Sequence, residues 1–150
     1  MYEFLEYRVA DAMTRDLITL PPEATIGDAE RCFQQHQING IPIVDAGGRF
    51  LGLVTKLDVL AAFRFDESSL FPRYDQIEKR PLREAMTPAH DVVSVTSREK
   101  LTQVLRKMVE RRTKSFPVLD EDTLVGVIAR EDILEALRRS VAGEVPTDPL

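Results

Sequence analysis

The sequence predicts an α+β fold made of two similar βαββα halves, packed with pseudo-twofold symmetry around two clefts. Three observations predict it. The first is an internal repeat. Val9 to Met13 (VADAM, then Thr14) returns as LREAM from Leu82 to Met86, then Thr87. DLITLPPEATIGDA from Asp16 returns as DVVSVTSREKLTQV from Asp91, and INGIPIVD ending at Asp45 as TKSFPVLD ending at Asp120. FLGLVTKLDVL from Phe50 returns as TLVGVIAREDIL from Thr123. The separation stays between 73 and 75 residues across all four blocks, in the same order, which chance does not explain. The second observation is that short apolar runs and amphipathic segments alternate identically in the two copies. The third is size: a half of roughly 60 residues buries too little apolar surface to offset its chain entropy, so each needs the other's cover.

Bulk properties narrow the class. Of 150 residues, 43% are apolar and 30% charged, ordinary values for a folded protein. The net charge of -5 and pI near 5.1 argue against a general attraction to nucleic acid or anionic membrane. Cys32 is the only cysteine, so no intrachain disulfide forms and a reducing compartment fits, with the cytoplasm as the default. The opening MYEFLEYRVADAM has neither a basic start nor an apolar run and does not read as a signal peptide. No apolar stretch approaches the ~20 residues that span a bilayer.

Within the first half, Leu17 to Leu20 reads as a strand closed by Pro21 and Pro22, which lack backbone donors. Thr25 reads as an N-cap with Asp28 three residues on, leading a helix with Ile26, Ala29 and Phe33 on its apolar face. Gly40 is expected to end that helix in the left-handed conformation. Ile41 to Val44 is a strand, Asp45-Ala46-Gly47-Gly48 a hairpin turn, Phe50 to Thr55 the returning strand, and Lys56 to Phe65 a closing helix.

The second half repeats this with a strand at Val92 to Val95, a helix at Lys100 to Arg111 and a strand at Phe116 to Leu119. A turn at Asp120-Glu121-Asp122, a strand at Leu124 to Ala129 and a helix to about Arg139 complete it. The boundaries expected are 8–65 for the first repeat, 66–80 for a crossover, 81–140 for the second repeat and 141–150 for a flexible tail, frayed from Gly143. The crossover contains no glycine and only two serines, Ser68 and Ser69, and so reads as ordered.

The ordered set Met-Thr, strand, proline-rich turn, helix, h-Pro-h-h-Asp, hairpin, Gly-h-h-Thr-x-x-Asp resembles the CBS domain, which occurs in pairs as a Bateman module. It is found twice and covers Val9 to Leu137. The resemblance implies a regulatory module that binds an adenosine-containing ligand (AMP, ADP, ATP or S-adenosylmethionine) in clefts between its repeats. It also implies dimers, often flat discs of four domains. In the family's T-x-x-D motif the hydroxyl contacts phosphate or ribose and the carboxylate pairs with the ribose hydroxyls; here these are Thr55 and Asp58. Each cleft draws on both repeats in the family. The resemblance therefore implies a first cleft of Thr55, Lys56, Asp58, Thr87, Val92, Val93, Thr113, Lys114, Ser115, Phe116 and Pro117. It implies a second cleft of Thr14, Leu17, Ile18, Ile38, Asn39, Gly40, Ile41, Pro42, Arg130 and Asp132. The apolar members would flank adenine, with Lys114 or Asn39 making polar contacts.

The residues themselves allow two roles at Thr55-Lys56-Leu57-Asp58. A strand end followed by a helix start presents backbone donors to an anion, Lys56 adds charge, and an Asp can accept from adjacent hydroxyls as in dinucleotide folds. The same Thr and Asp also form an ordinary helix cap, and the two roles can coexist. The second repeat has Ala129-Arg130-Glu131-Asp132. It lacks the hydroxyl, keeps the ribose acid, gains a planar phosphate-binding Arg130 and adds a repelling Glu131. One complete site and one altered or empty site is the expectation.

Other signals weigh less. Cys32 and His36 are four apart, but with His90 the only other histidine they read as plain helix residues and no metal site is expected. The basic run Arg106, Lys107, Arg111, Arg112, Lys114 reads either as a phosphate dock or as a solvated helix end, the latter favoured for Arg106 and Lys107. Phe63, Phe65, Phe71 and Tyr74 around the crossover suit packing or a dimer contact better than stacking on adenine. No phosphate loop, G-x-S-x-G elbow or HExxH helix occurs, so no catalytic residues and no required cofactor are expected. The reading is a free-standing adenosyl-ligand sensor, homodimeric, acting on a protein partner in trans. The rival reading is a ligand-free dimerisation or partner-binding scaffold.

Overall fold

A computed structural model describes residues 2–64 and 74–142. The tail expected to fray from Gly143, and Phe65 and Phe71 of the crossover, lie outside the described residues. Two compact units divide the chain: one is Ile18–Val92, the other joins Met1–Leu17 to Val93–Leu150.

The 18–92 unit begins with an extended segment and helix α3 (Ile26–Gln35), preceded in the chain by α1 (Tyr2–Glu6) and α2 (Val9–Ala12) of the other unit. Thr25 caps α3 in both directions. Its Oγ1 accepts from the Asp28 backbone N–H at 3.2 Å, and its own N–H donates to Asp28 Oδ2 at 2.8 Å. Ile26, Ala29 and Cys32 follow at three-residue spacing and turn one face into the core. The hairpin β1 (Gly40–Val44) and β2 (Phe50–Thr55) is antiparallel, and a short β3 (Thr87–Pro88) pairs with β2. The expected turn is present. Asp45 Oδ1 accepts from the N–H groups of Gly47 and Arg49, and Gly48 takes φ 85°, a conformation that suits a residue without Cβ. Helix α4 (Lys56–Ala62), α5 (Tyr74–Ile77) and a 3₁₀ turn at Leu82–Glu84 complete the unit around Ile26, Ile41, Ile43, Val54, Val59, Ile77 and Leu82.

The other unit has the same plan. Helix α6 (Leu101–Arg111) buries Leu101, Val104 and Met108, and ends on Arg112 in the left-handed region at φ 54°. Strands β4 (Ser115–Asp120) and β5 (Thr123–Ala129) form a hairpin whose turn residues Glu121 and Asp122 both have positive φ. Helix α7 (Arg130–Val141) packs Ile133 and Ala136 inward. The short helices α1 and α2 add Phe4, Tyr7 and Val9 to a core with Phe116, Val118 and Ile128.

Each unit therefore combines the leading segment of one repeat with the hairpin of the other. Thr14 exchanges backbone hydrogen bonds with Val127 at 2.9 and 3.0 Å, while Thr87 pairs with Leu53. Glycine permits both approaches. A Cβ on Gly52 would lie 2.5 Å from the Thr87 carbonyl oxygen, and one on Gly126 would lie 2.7 Å from Met13 Sδ.

Several expectations are corrected. Leu17 to Leu20 and Val92 to Val95 are not strands; each makes one parallel bridge, Leu20 to Ile43 and Val95 to Val118. The reason lies in the partner strand. Extending either ladder towards the N-terminus would require a donor from the nitrogen of Pro42 or Pro117, and proline has none. Gly40 does not end α3, which stops at Gln35. Gly40 opens β1 instead, where a Cβ would crowd Leu53 Cδ1 at 3.2 Å. The helix expected to reach Phe65 stops at Ala62, and Phe63 is its C-cap, its backbone N–H donating to the Leu60 carbonyl at 3.0 Å. Lys100 caps α6 instead of entering it, and α7 runs on past Arg139 to Val141. Of the crossover, residues 74–80 are ordered: Ile77 is buried, the Tyr74 ring stacks on Phe63 at 5.2 Å, and the Glu78 and Arg80 carbonyls accept from Gly27 and Ile26.

Gly52→Ala and Gly126→Ala should each lose about 1–3 kcal/mol in chemical denaturation, the usual cost of overpacking. Gly47→Ala, which meets only Asp45 Oδ1 at 3.5 Å, should stay within about 0.5 kcal/mol of the parent. An unchanged Gly126→Ala would contradict the close docking of Met13 and Thr14.

Candidate functional site

In each repeat the second hairpin strand runs straight into a helix, and an aspartate three residues on closes the junction. Asp58 Oδ2 accepts from the Thr55 backbone N–H at 2.8 Å and from Thr55 Oγ1 at 3.0 Å, while the Asp58 N–H donates to that hydroxyl oxygen at 3.2 Å. Oδ1 of Asp58 has no hydrogen-bond partner among the described residues. The carboxylate lines a depression of about 250 Å³ together with Ile26, Ala61, Ala62, Arg64, Arg80, Glu84 and Ala85. Lys56, the first residue of α4, places its ammonium 5.9 Å from the Phe33 ring centre.

Asp132 is held differently. Its Oδ2 accepts from the Ala129 N–H at 2.8 Å, and with no hydroxyl at position 129 its Oδ1 accepts from Thr14 Oγ1 at 3.1 Å. Thr14, from the leading segment of the other repeat, supplies the hydroxyl that Ala129 lacks. Burial of Asp132 raises its carboxyl above the usual range; the bonds from Ala129 and Thr14 oppose that shift and the nearby Glu131 adds to it. Asp132 lines a depression of about 390 Å³ with the Ala10–Met13 segment, Arg15, Glu135, Ala136 and Arg139.

The remaining expected residues divide between the units. In the 18–92 unit, Thr55 pairs across the hairpin with Gly40, Val54 with Ile41 and Leu53 with Pro42, beside Ile18, Ile38 and Asn39. Thr87 pairs with Leu53, and Val92 follows. In the other unit, Ser115 pairs with Ala129, Phe116 with Ile128 and Pro117 with Val127, next to Thr113 and Lys114; Leu17 and Val93 also belong here. Phe116 and Ile41 are 1% and 0% exposed, so their side chains fill the cores. Arg130 uses Nε on the Thr113 carbonyl and Nη2 on the Arg112 carbonyl, tying α7 to the end of α6. Arg64, Arg80, Glu84, Asp11, Arg15, Glu135 and Arg139 were not singled out by the sequence. The one signal for the last two is helical: Asp132, Glu135, Ala136 and Arg139 recur at i, i+3, i+4 and i+7 along α7.

Among the described residues no group of three or more His, Cys, Asp or Glu side chains is arranged to hold a metal ion. No described helix is long and apolar enough to cross a membrane.

The model of the CBS domain family matches residues 9–64 and again residues 82–139. The chain belongs to the CBS domain family. AcuB from Vibrio cholerae is 32% identical in sequence and superposes with a TM-score of 0.75, over 91% of this chain and 93% of AcuB. The CBS domain pair of protein MJ0100, solved with 5′-methylthioadenosine and S-adenosyl-L-methionine, is 26% identical with a TM-score of 0.67, over 89% of this chain and 98% of that one. The chloroplast CBS domain-containing protein CBSX1 of Arabidopsis thaliana is 28% identical across an alignment of 152 positions that covers 87% of this chain and 64% of CBSX1. The chain spans less than two thirds of the length of several curated relatives it matches, from 22% to 64% among four of them.

The two kinds of capping aspartate in this CBS pair should titrate with opposite consequences. Asp132 has a folded pKa above its unfolded one, so its stabilisation is complete below the unfolded pKa and is lost as pH rises through the folded value. Asp28 is lowered, first by the Thr25 N–H and further by Arg31, so its stabilisation holds above the unfolded pKa and is lost as pH falls through the folded value. Denaturation at a series of pH values should show Asp132→Asn gaining on the parent as pH rises through the raised pKa, and Asp28→Asn losing ground as pH rises. Profiles parallel to the parent would refute both assignments. Thr14→Val should raise the Asp132 pKa further, read by carboxyl carbon NMR; an unmoved pKa would mean the Thr14 bond is absent in solution.

Proposed function

We propose that the chain is a regulatory module, not an enzyme, that binds an adenosine-containing ligand (AMP, ADP, ATP or S-adenosylmethionine) at the Asp58 junction. The observation that carries this reading is the state of the Asp58 carboxylate. One oxygen is pinned by Thr55 while the other opens, unbonded among the described residues, on a depression. A cap needs only the first oxygen. A pinned carboxylate with a spare acceptor is pre-oriented for the adjacent hydroxyls of a ribose. The complex of the MJ0100 CBS pair with two adenosyl compounds supports the ligand class. At Asp132 each oxygen already accepts one hydrogen bond, so ribose hydroxyls would compete with Thr14 for the carboxylate, and in this reading the site is the weaker of the two.

The output is a changed packing of helices, read by a protein partner, because a ligand acts only through unequal affinity for two arrangements. The protein is a homodimer in this reading. Its apolar helix faces call for cover: α6 and α7 flank a groove of about 400 Å³ lined by Leu105, Met108, Ile133 and Leu137, with Val109 and Leu134 68% and 64% exposed. Cys32, buried and with its thiol pKa raised by burial, suits a reducing compartment such as the cytoplasm.

A thermal-shift panel of AMP, ADP, ATP, GTP, S-adenosylmethionine and NAD tests the ligand class. A ligand at a hundred times its Kd should add roughly 2.7 kcal/mol and raise Tm by several degrees. No shift with any adenosyl compound would overturn the sensor reading and favour a ligand-free scaffold. Sedimentation should show a dimer that Val109→Glu with Leu134→Glu converts to monomer; a parent already monomeric would refute the dimer.

A further inference from the structure

We infer that Arg64 and Arg80 form an anion seat in the Asp58 depression, so that this site selects phosphate esters of adenosine over uncharged or sulfonium adenosyl compounds. The inference rests on the reading of Asp58 as the ribose acceptor. It starts from one difference between the repeats. Four residues fall in register from each motif aspartate: Asp58, Ala61, Ala62 and Arg64 match Asp132, Glu135, Ala136 and Arg138. In the second repeat Glu135 grips Arg138 through two bonds, Nε at 3.0 Å and Nη2 at 2.5 Å, and the pair lowers the Glu135 pKa. In the first repeat that glutamate is Ala61. Arg64 therefore has no acid three residues before it on α4.

Arg64 lines the depression with Asp58, and so does Arg80, which reaches it from the segment after α5. Neither guanidinium has a hydrogen-bond or ion-pair partner among the described residues. In a chain of net charge -5, two arginines that line one depression and have no partner among the described residues make it locally positive. Guanidinium groups present paired donors that match phosphate oxygens. The depression holds the ribose end of a nucleotide: the Asp58 oxygen that lacks a partner takes the hydroxyls, and the arginines take the phosphate. Glu84 lines the same depression and opposes the anion, which sets the expected sign for its removal.

The matching depression around Asp132 also holds two arginines, Arg15 and Arg139, but they face three carboxylates, Asp11, Asp132 and Glu135. Arg15 donates to the Ala10 carbonyl at 3.3 Å, and the charge of Arg139 helps to lower the Glu135 pKa. The two motif aspartates thus sit in environments of different ligand chemistry.

Calorimetry with AMP and with adenosine separates this inference from the reading beneath it. Arg64→Gln with Arg80→Gln should weaken AMP about tenfold or more and leave adenosine within about twofold, since only the charged contact is lost. Ala61→Glu, which places in this depression the carboxylate that the second repeat carries at Glu135, should weaken AMP more than adenosine without removing an arginine. Glu84→Gln should tighten AMP. Equal losses for AMP and adenosine, or no loss for AMP, would overturn the seat while leaving the Asp58 reading intact. If neither nucleoside compound binds the parent, the Asp58 reading falls, and titration with inorganic pyrophosphate decides the seat alone. Shifts of the Arg64 and Arg80 Nε–H resonances would uphold it, and unmoved resonances would overturn it.

Discussion

One local interaction recurs at five places where this chain turns from extended backbone into a helix or turn: a backbone N–H donates to the side chain of an acid three residues ahead. It joins Arg8 to Asp11, Thr25 to Asp28, Thr55 to Asp58, Thr96 to Glu99 and Ala129 to Asp132, at 2.6 to 2.8 Å. Each bond satisfies a donor that a helix start leaves orphaned, for about 1 kcal/mol. It also locks an aspartate or glutamate in one rotamer. At Asp28 that is the whole story, since Arg31 takes the other oxygen at 2.6 Å. At Asp58 and Asp132 the same lock holds a carboxylate that lines a depression, and the proposed function builds on a capping device already required by the fold.

Around these junctions, residues that are unusual in strands set the geometry. Pro42 and Pro117 withhold a donor and so confine the first extended segment of each repeat to one bridge. Gly52 and Gly126 let a Met-Thr segment lie directly against the hairpin. Because that segment comes from the other repeat, Thr14 meets Asp132 across 118 residues of chain. A substitution in the first repeat therefore acts on the acid of the second.

Much of this was legible in the sequence because its causes are local. The repeat, the hairpin turns, the Thr25 and Thr55 caps and the family follow from short spacings that physics reads the same way anywhere. What was not legible depends on register or distance. Pro42 announces a missing donor, but only the pairing of Leu20 with Ile43 shows which ladder it stops. Gly40 carries no mark that separates a helix end from a crowded strand start. The short helix Tyr2–Glu6 has too few residues for a periodic signal and is held by packing of Phe4 and Tyr7. The bond from Thr14 to Asp132 and the placing of Arg64 and Arg80 beside Asp58 require tertiary structure, although Ala61 in place of a glutamate is visible in the aligned repeats.

The central claim is that Asp58 is more than a cap. Asp28 provides the internal control, because it makes the same reciprocal box with Thr25 in the same unit. The measurement is calorimetric titration of AMP into Asp58→Asn and Asp28→Asn, each checked for folding by its denaturation curve. The account predicts that Asp58→Asn loses AMP binding while Asp28→Asn keeps the affinity of the parent. Equal affinities in the two variants would contradict it and return Asp58 to the role of a helix cap.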